Sequence, residues 1–136
     1  MPDRRVSRGL LDTSVVIDLD RMAPGALPRM VAVSAITMAE LAAGPAATED
    51  LAERARRQDR LQRAEAVFES VPFGVGPARA YGRIYAAVVA AGRRPRGRLA
   101  DLLIAATALS EGVPLLTRNP SDFSGLEELI EIVAID

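Results

Sequence analysis

An α/β layered domain on a mainly parallel sheet of about five strands is what this chain predicts. Short apolar segments alternate with helical patterns along it, and no hairpin signature joins any two of those segments. The 136 residues suit one compact domain spanning the whole chain, and nearly half are apolar, enough for a real core. No internal repeat, low-complexity tract or linker divides it.

Strand-like segments fall at residues 9–11, 31–33, 71–75, 114–116 and 132–135. After the first, Asp12-Thr13-Ser14 starts a helix ahead of residues 15–19. After the second, Ser34 starts a helix carrying Ile36, Ala39, Leu41 and Ala43, which Gly44-Pro45 stops. Residues 48–69 read as a long charged amphipathic helix, 78–91 as another, and 99–111 as a nearly all-apolar buried one.

Composition narrows the chemistry. The chain has no histidine and no cysteine, which excludes histidine general bases, cysteine nucleophiles, thiolate zinc sites and disulfides. Carboxylate, hydroxyl, arginine and a bound hard cation remain, and hard divalent cations prefer oxygen ligands. Aromatics are sparse, so the core is expected to be aliphatic and base-stacking platforms are not expected. All side-chain positive charge is arginine, a bias consistent with a GC-rich genome, and the net charge of -1 argues against a protein that coats nucleic acid. No apolar run reaches the roughly 18 residues of a spanning helix, and the N-terminus shows no long apolar signal region, which gives a cytoplasmic expectation with no membrane partner.

Four acids, Asp12, Glu40, Asp101 and Asp122, interrupt or end stretches that are otherwise apolar or turn-forming. In open parallel sheets ligands bind beyond the carboxyl ends of the strands. Asp12 follows the first strand, Glu40 lies two turns into the helix after the second, and Asp122 follows the fourth by a short loop. Asp101 begins the apolar helix Leu102-Leu103-Ile104-Ala105-Ala106. Singly, each has a structural reading: Asp12 as a helix N-cap, Asp122 as a turn residue, and Asp101 as an acid favoured by ~0.3–1 kcal/mol at a helix N-terminus. Glu40, the only charged residue between Val31 and Ala47, reads as a buried carboxylate in need of a partner. Their joint placement points to carboxylates gathered round a cation, in a metal-dependent enzyme acting on phosphate esters.

Four ordered blocks carry a resemblance: Leu11-Asp12-Thr13-Ser14-Val15-Val16-Ile17-Asp18, Ser34-Ala35-Ile36-Thr37-Met38-Ala39-Glu40-Leu41, Ala100-Asp101-Leu102-Leu103-Ile104-Ala105-Ala106 and Thr117-Arg118-Asn119-Pro120-Ser121-Asp122-Phe123. In these the chain resembles the PIN-domain ribonucleases of the VapC toxin type over essentially its whole length. The resemblance implies a PIN-like α/β/α sandwich, a Mg2+- or Mn2+-dependent endoribonuclease acting on RNA, a homodimer, and a cognate VapB-like antitoxin that covers the acidic pocket. It implies Asp12 and Asp101 as metal ligands, Glu40 and Asp122 as the other catalytic acids, and Thr13, Ser14, Thr117 and Asn119 as polar residues bracing the pocket. Phe73-Gly74-Val75-Gly76 stands where relatives often carry an acid, and the N-terminal arm with Arg4, Arg5 and Arg8 is longer than the family minimum.

For substrate contact, Arg93, Arg94, Arg96 and Arg98 form a loop without an intervening acid that leads into the Asp101 helix; RNA contact and simple solvation are equally good readings of it. Arg118 is a further candidate. Arg54, Arg56, Arg57, Arg60 and Arg63, diluted by Glu53 and Asp59, read better as a salt-bridged helix face. Tyr81, Ile84, Tyr85 and Val88 suit core slightly better than a dimer surface. A receiver domain would need a lysine, a haloacid-dehalogenase-type phosphatase an acid where Ser14 stands, and a nucleotide-binding fold a glycine-rich loop after the first strand. The alternative from another class is a catalytically silent PIN-like module that binds RNA or an antitoxin.

Overall fold

The computed structural model describes residues 7–136, so Arg4 and Arg5 of the N-terminal arm lie outside the described residues. Five strands, β1 (Arg8–Leu11), β2 (Met30–Ser34), β3 (Glu69–Val71), β4 (Leu115–Thr117) and β5 (Ile132–Ala134), form one sheet in the order β3-β2-β1-β4-β5. Every neighbouring pair is parallel. The helices are α1 (Thr13–Ile17), α2 (Ala35–Ala43), α3 (Leu51–Val67), α4 (Val75–Ala90) and α5 (Leu99–Glu111), with single 3-10 turns at Leu19–Arg21, Pro45–Ala47 and Pro120–Phe123.

Alternation along the central strands explains the layers, because successive side chains leave opposite faces of a sheet. Leu10 and Leu115 join Ile84, Val88, Leu102, Ile104 and Phe123 in one core, under α4 and α5. Leu11, Val33 and Leu116 join Val15, Val16, Leu41 and Ala64 in the other, under α1, α2 and α3. The sheet is thus covered on both faces, as an all-parallel sheet requires. Ile84 and Val88 are core, Tyr81 is half-buried and Tyr85 exposed, which divides the helix face that the sequence left open between core and surface.

The edge strand is where expectation and structure part. β3 occupies Glu69–Val71 rather than 71–75, and Val75 instead opens α4. Its first two side chains are exposed, so no apolar period marks it; backbone pairing with Ala32, Val33 and Ser34 makes the strand. Pro72 follows, and proline cannot continue a ladder as a donor. Gly74 caps α4, which therefore begins earlier than residue 78, with Pro77 tolerated in the first turn where no intrahelical donor is needed. The charged helix is also shorter than 48–69, because Phe68 already has extended backbone.

Gly9 shows how closely β1 approaches β4: a Cβ there would run into the buried Cδ1 of Leu116 and lie 3.3 Å from the Pro114 carbonyl. Gly9→Ala is expected to cost about 1–3 kcal/mol through overpacking, read as a lower denaturation midpoint at unchanged slope.

Candidate functional site

Strand order makes the site. β1 runs on to β2 and β3 on one side, whereas its other neighbour, β4, arrives much later in sequence, so the crevice beyond β1 and β4 is a topological switch point. Asp12 ends β1 there as the N-cap of α1, only 4% exposed and without a capping hydrogen bond of its own. Its carboxylate is instead an acceptor. The Ser14 hydroxyl donates to Oδ2 at 2.8 Å, and the Thr117 hydroxyl, at the end of β4, donates to the same oxygen at 2.8 Å. Every fully buried side-chain nitrogen or oxygen among the described residues has a partner, so Oδ1, which has none, opens to solvent.

Thr117 and Ser14 also hold the next loop. The backbone N–H of Asn119 donates to Thr117 Oγ1 at 2.9 Å and that of Arg118 to Ser14 Oγ at 3.1 Å. Asn119 thus braces the site through its main chain, while its side chain is exposed. The loop continues into the turn Pro120–Phe123, which carries Asp122 and is anchored by the buried Phe123.

Glu40 departs from expectation, since it is exposed rather than buried. It lies on the last turn of α2, and the Thr13 hydroxyl donates to its Oε1 at 2.6 Å. Behind Thr13 stand hydroxyls that sequence reasoning missed: buried Thr37 lies 2.9 Å from Thr13 Oγ1, and Ser34, the N-cap of α2, accepts from the Thr37 N–H at 3.0 Å. Both lie within the second motif block, but single hydroxyls near a helix start read as caps until the fold shows where they point.

Asp101 is where the acids meet electrically. Half-buried in the first turn of α5, its carboxyl is raised to about 6, first by burial and then by the charges of Asp12, Asp122 and Glu40, with Arg98 opposing. All four acids therefore act within one field. Among the described residues no three or more acidic side chains form a ready-made metal cage. The donor set nevertheless fits a hard divalent cation: it is all oxygen, Asp12 offers a free Oδ1, and the mutual repulsion felt at Asp101 is what a cation would relieve.

The arginine loop divides by role. Arg93 donates to the carbonyls of Ser121 and Ser124 at 3.1 and 3.2 Å, and Arg98 donates to the carbonyl of Asp122 at 2.9 Å. These two clamp the turn that carries Asp122, while Arg94 and Arg96 are exposed and make no ion pair among the described residues. Arg118 lies 3.6 Å from Asp18.

The model of the family described as PIN domain matches residues 9–129. Ribonuclease VapC5 of Mycobacterium tuberculosis (strain ATCC 25618 / H37Rv) is 35% identical over 136 residues, covering 93% of this chain and 95% of that protein. Ribonuclease VapC8 of Mycobacterium tuberculosis (strain CDC 1551 / Oshkosh) is 40% identical over 111 residues, covering 79% and 96%. Among solved structures, VapBC-5 from Mycobacterium tuberculosis, a member of the VapBC family of toxin-antitoxin systems, superposes with a TM-score of 0.83 at 34% identity over 95% of this chain and 99% of that one.

Two outcomes follow from the geometry. Asp101 binds its proton more tightly folded than unfolded, so the stability tied to that proton is present at low pH and lost as pH rises through about 6. The chain has no histidine to add a titration of its own in that range. In chelator, the thermal midpoint should be higher at about pH 5.5 than at about pH 7.5, and Asp101→Asn should flatten that difference. Separately, Arg98→Met should speed amide exchange in the turn Pro120–Phe123 several-fold while leaving exchange in β1 unchanged, because the lost bond ties down that turn alone.

Proposed function

The chain belongs to the PIN-domain family, and we propose that it is the toxin of a VapBC-type toxin–antitoxin pair, an endoribonuclease that hydrolyses RNA phosphodiester bonds at Asp12, Glu40, Asp101 and Asp122. The observation that carries this reading is the convergence of the fields of Asp12, Asp122 and Glu40 on Asp101, at the switch point of a parallel sheet.

In the proposed mechanism Asp12 and Asp101 would hold Mg2+ or Mn2+, with Glu40 and Asp122 placed to orient water at the site. Bound there, such an ion would supply an acidified water and positive charge to offset that on the phosphate and the leaving oxygen. Ser14 and Thr117 keep the Asp12 carboxylate aimed, both donating to its Oδ2. Thr13 fixes the Glu40 carboxylate, and Arg98 both steadies Asp122 and supplies a field that helps Asp101 lose its proton. Residues 1–136 act as one domain, and a VapB-type antitoxin restrains the enzyme by covering the acids. No helix among the described residues is long and apolar enough to cross a membrane, and we place the pair in the cytoplasm with the RNA it cuts.

Total cellular RNA is the substrate for the test. Antitoxin-free protein with Mg2+ or Mn2+ should yield discrete fragments, whereas chelator should abolish them and Asp101→Asn should slow cleavage by at least about 100-fold, the scale of losing a group that stabilises transition-state charge. Full activity in Asp101→Asn would sink the assignment; intact cation binding with no cleavage by the wild type would mark a silent binding module.

A further inference from the structure

Helix α3 carries five arginines, Arg54, Arg56, Arg57, Arg60 and Arg63, and the structure accounts for all but one. Arg54 donates to the carbonyls of Pro45 and Thr48. Arg56 and Arg57 share Glu53 at 2.9 and 2.8 Å, and hold its carboxyl below the usual range. Arg63 joins Asp20 and Asp59 at 3.3 and 3.0 Å. Arg60 makes no ion pair or hydrogen bond among the described residues, although it is half-buried and has Asp59 beside it in sequence.

Its position gives that isolation a meaning. Arg60 lines a cleft of about 330 Å³ whose other walls include Thr13, Glu40, Leu41 and Arg57. Thr13 is the residue that holds Glu40, so the cleft reaches one of the four acids. Arg60 also lines a second cleft of about 150 Å³, which contains Asp20 and Arg63, and so stands on the ridge between the two. Glu53, on the wall of the first cleft, is already engaged by Arg56 and Arg57, so of the two guanidiniums that line the cleft, Arg57 and Arg60, only Arg60 has its donors uncommitted among the described residues. Every fully buried side-chain nitrogen among the described residues has a partner, so the Arg60 donors, which have none there, open to solvent in the cleft. They are free for an anion arriving in it, and a guanidinium matches a phosphate with two parallel hydrogen bonds.

Resting on the ribonuclease reading above, we infer that Arg60 takes a backbone phosphate of the RNA strand away from the bond being cut, so that the substrate leaves the acids along the cleft between α1, α2 and α3. The contact reads no base. It fixes the strand's register and adds affinity without touching the reacting atoms.

Binding is tested apart from turnover by placing Arg60→Gln in the Asp101→Asn protein and titrating a fluorescein-labelled single-stranded RNA of mixed sequence by anisotropy over a range of salt. The dissociation constant should rise about five- to tenfold, as expected for losing a charge-assisted hydrogen bond. The slope of log affinity against log salt should become shallower by about 0.7, the value for one phosphate contact on a single strand. Arg60→Lys should recover part of the affinity and all of the slope, and Arg63→Gln, whose guanidinium is engaged with Asp20 and Asp59, should leave both unmoved. In the protein with Asp101 intact, Arg60→Gln should raise KM and leave kcat unchanged. An unchanged isotherm and slope in a variant that keeps the parent's thermal midpoint overturns the inference. So does an unmoved RNA isotherm accompanied by weaker binding of a glutamate-rich peptide, which would assign Arg60 to a protein partner. Failure of the wild type to cut RNA would refute the ribonuclease reading, while the anisotropy titration would still report on Arg60.

Discussion

One buried carboxylate, Asp12, sets the position of nearly everything else in the site. Removing it from water costs several kcal/mol unless donors replace the lost hydration, and Ser14 and Thr117 supply them on a single oxygen. Those two hydroxyls are themselves acceptors for the N–H groups of Arg118 and Asn119, so the shell that stabilises Asp12 also fixes the chain leaving β4. That chain carries Asp122. The parallel pairing of β1 with β4, Leu11 opposite Leu116, places Asp12 beside Thr117, so strand register is part of the chemistry of the site.

The same economy of hydroxyls operates on the other side of β1. Residues 12, 13 and 14 are successive, yet they serve different acids: Ser14 turns back to Asp12, while Thr13 reaches Glu40 across to α2. Thr13 is backed by Thr37, and Thr37 by the Ser34 cap, so the start of α2 helps orient an acid near its end. A cap that contributes about 1 kcal/mol to a helix therefore also limits the freedom of an exposed carboxylate.

Patterns of burial are legible in the amino-acid sequence. The central strands, α5 and the stop of α2 at Gly44 follow from apolar runs, caps and breakers, and α5 occupies the expected residues 99–111. The edge strand is not legible, because Glu69 and Ser70 contribute backbone rather than apolar side chains to the sheet. For the site, the four acids can be named because each is out of place in its segment, and their placement near strand ends follows from parallel topology. What a single chain does not show is direction. Glu40 looks buried because its neighbours in sequence are apolar, but it sits on the outer face at the end of α2. Arg93, Arg94, Arg96 and Arg98 look equivalent, yet the fold turns two of them inward to carbonyls and leaves two at the surface.

That division of the arginines bears on how an acidic site can exist in the folded chain at all. Burial, and then the charges of Asp12, Asp122 and Glu40, raise the Asp101 carboxyl to about 6. A lysine near Asp122 would present a point charge to its acid; the planar guanidinium of Arg98 can instead donate to the main-chain carbonyl of Asp122 and still lower the proton affinity of Asp101. The nearest positive charge thus braces the loop rather than capping a carboxylate, and the carboxylate oxygens stay available. Repulsion left unquenched in this way makes the folded chain less stable at neutral pH than its packing alone would allow. Any cation that binds the acids returns that free energy as binding linked to folding, so the site's strain and its capacity for a divalent ion are one property.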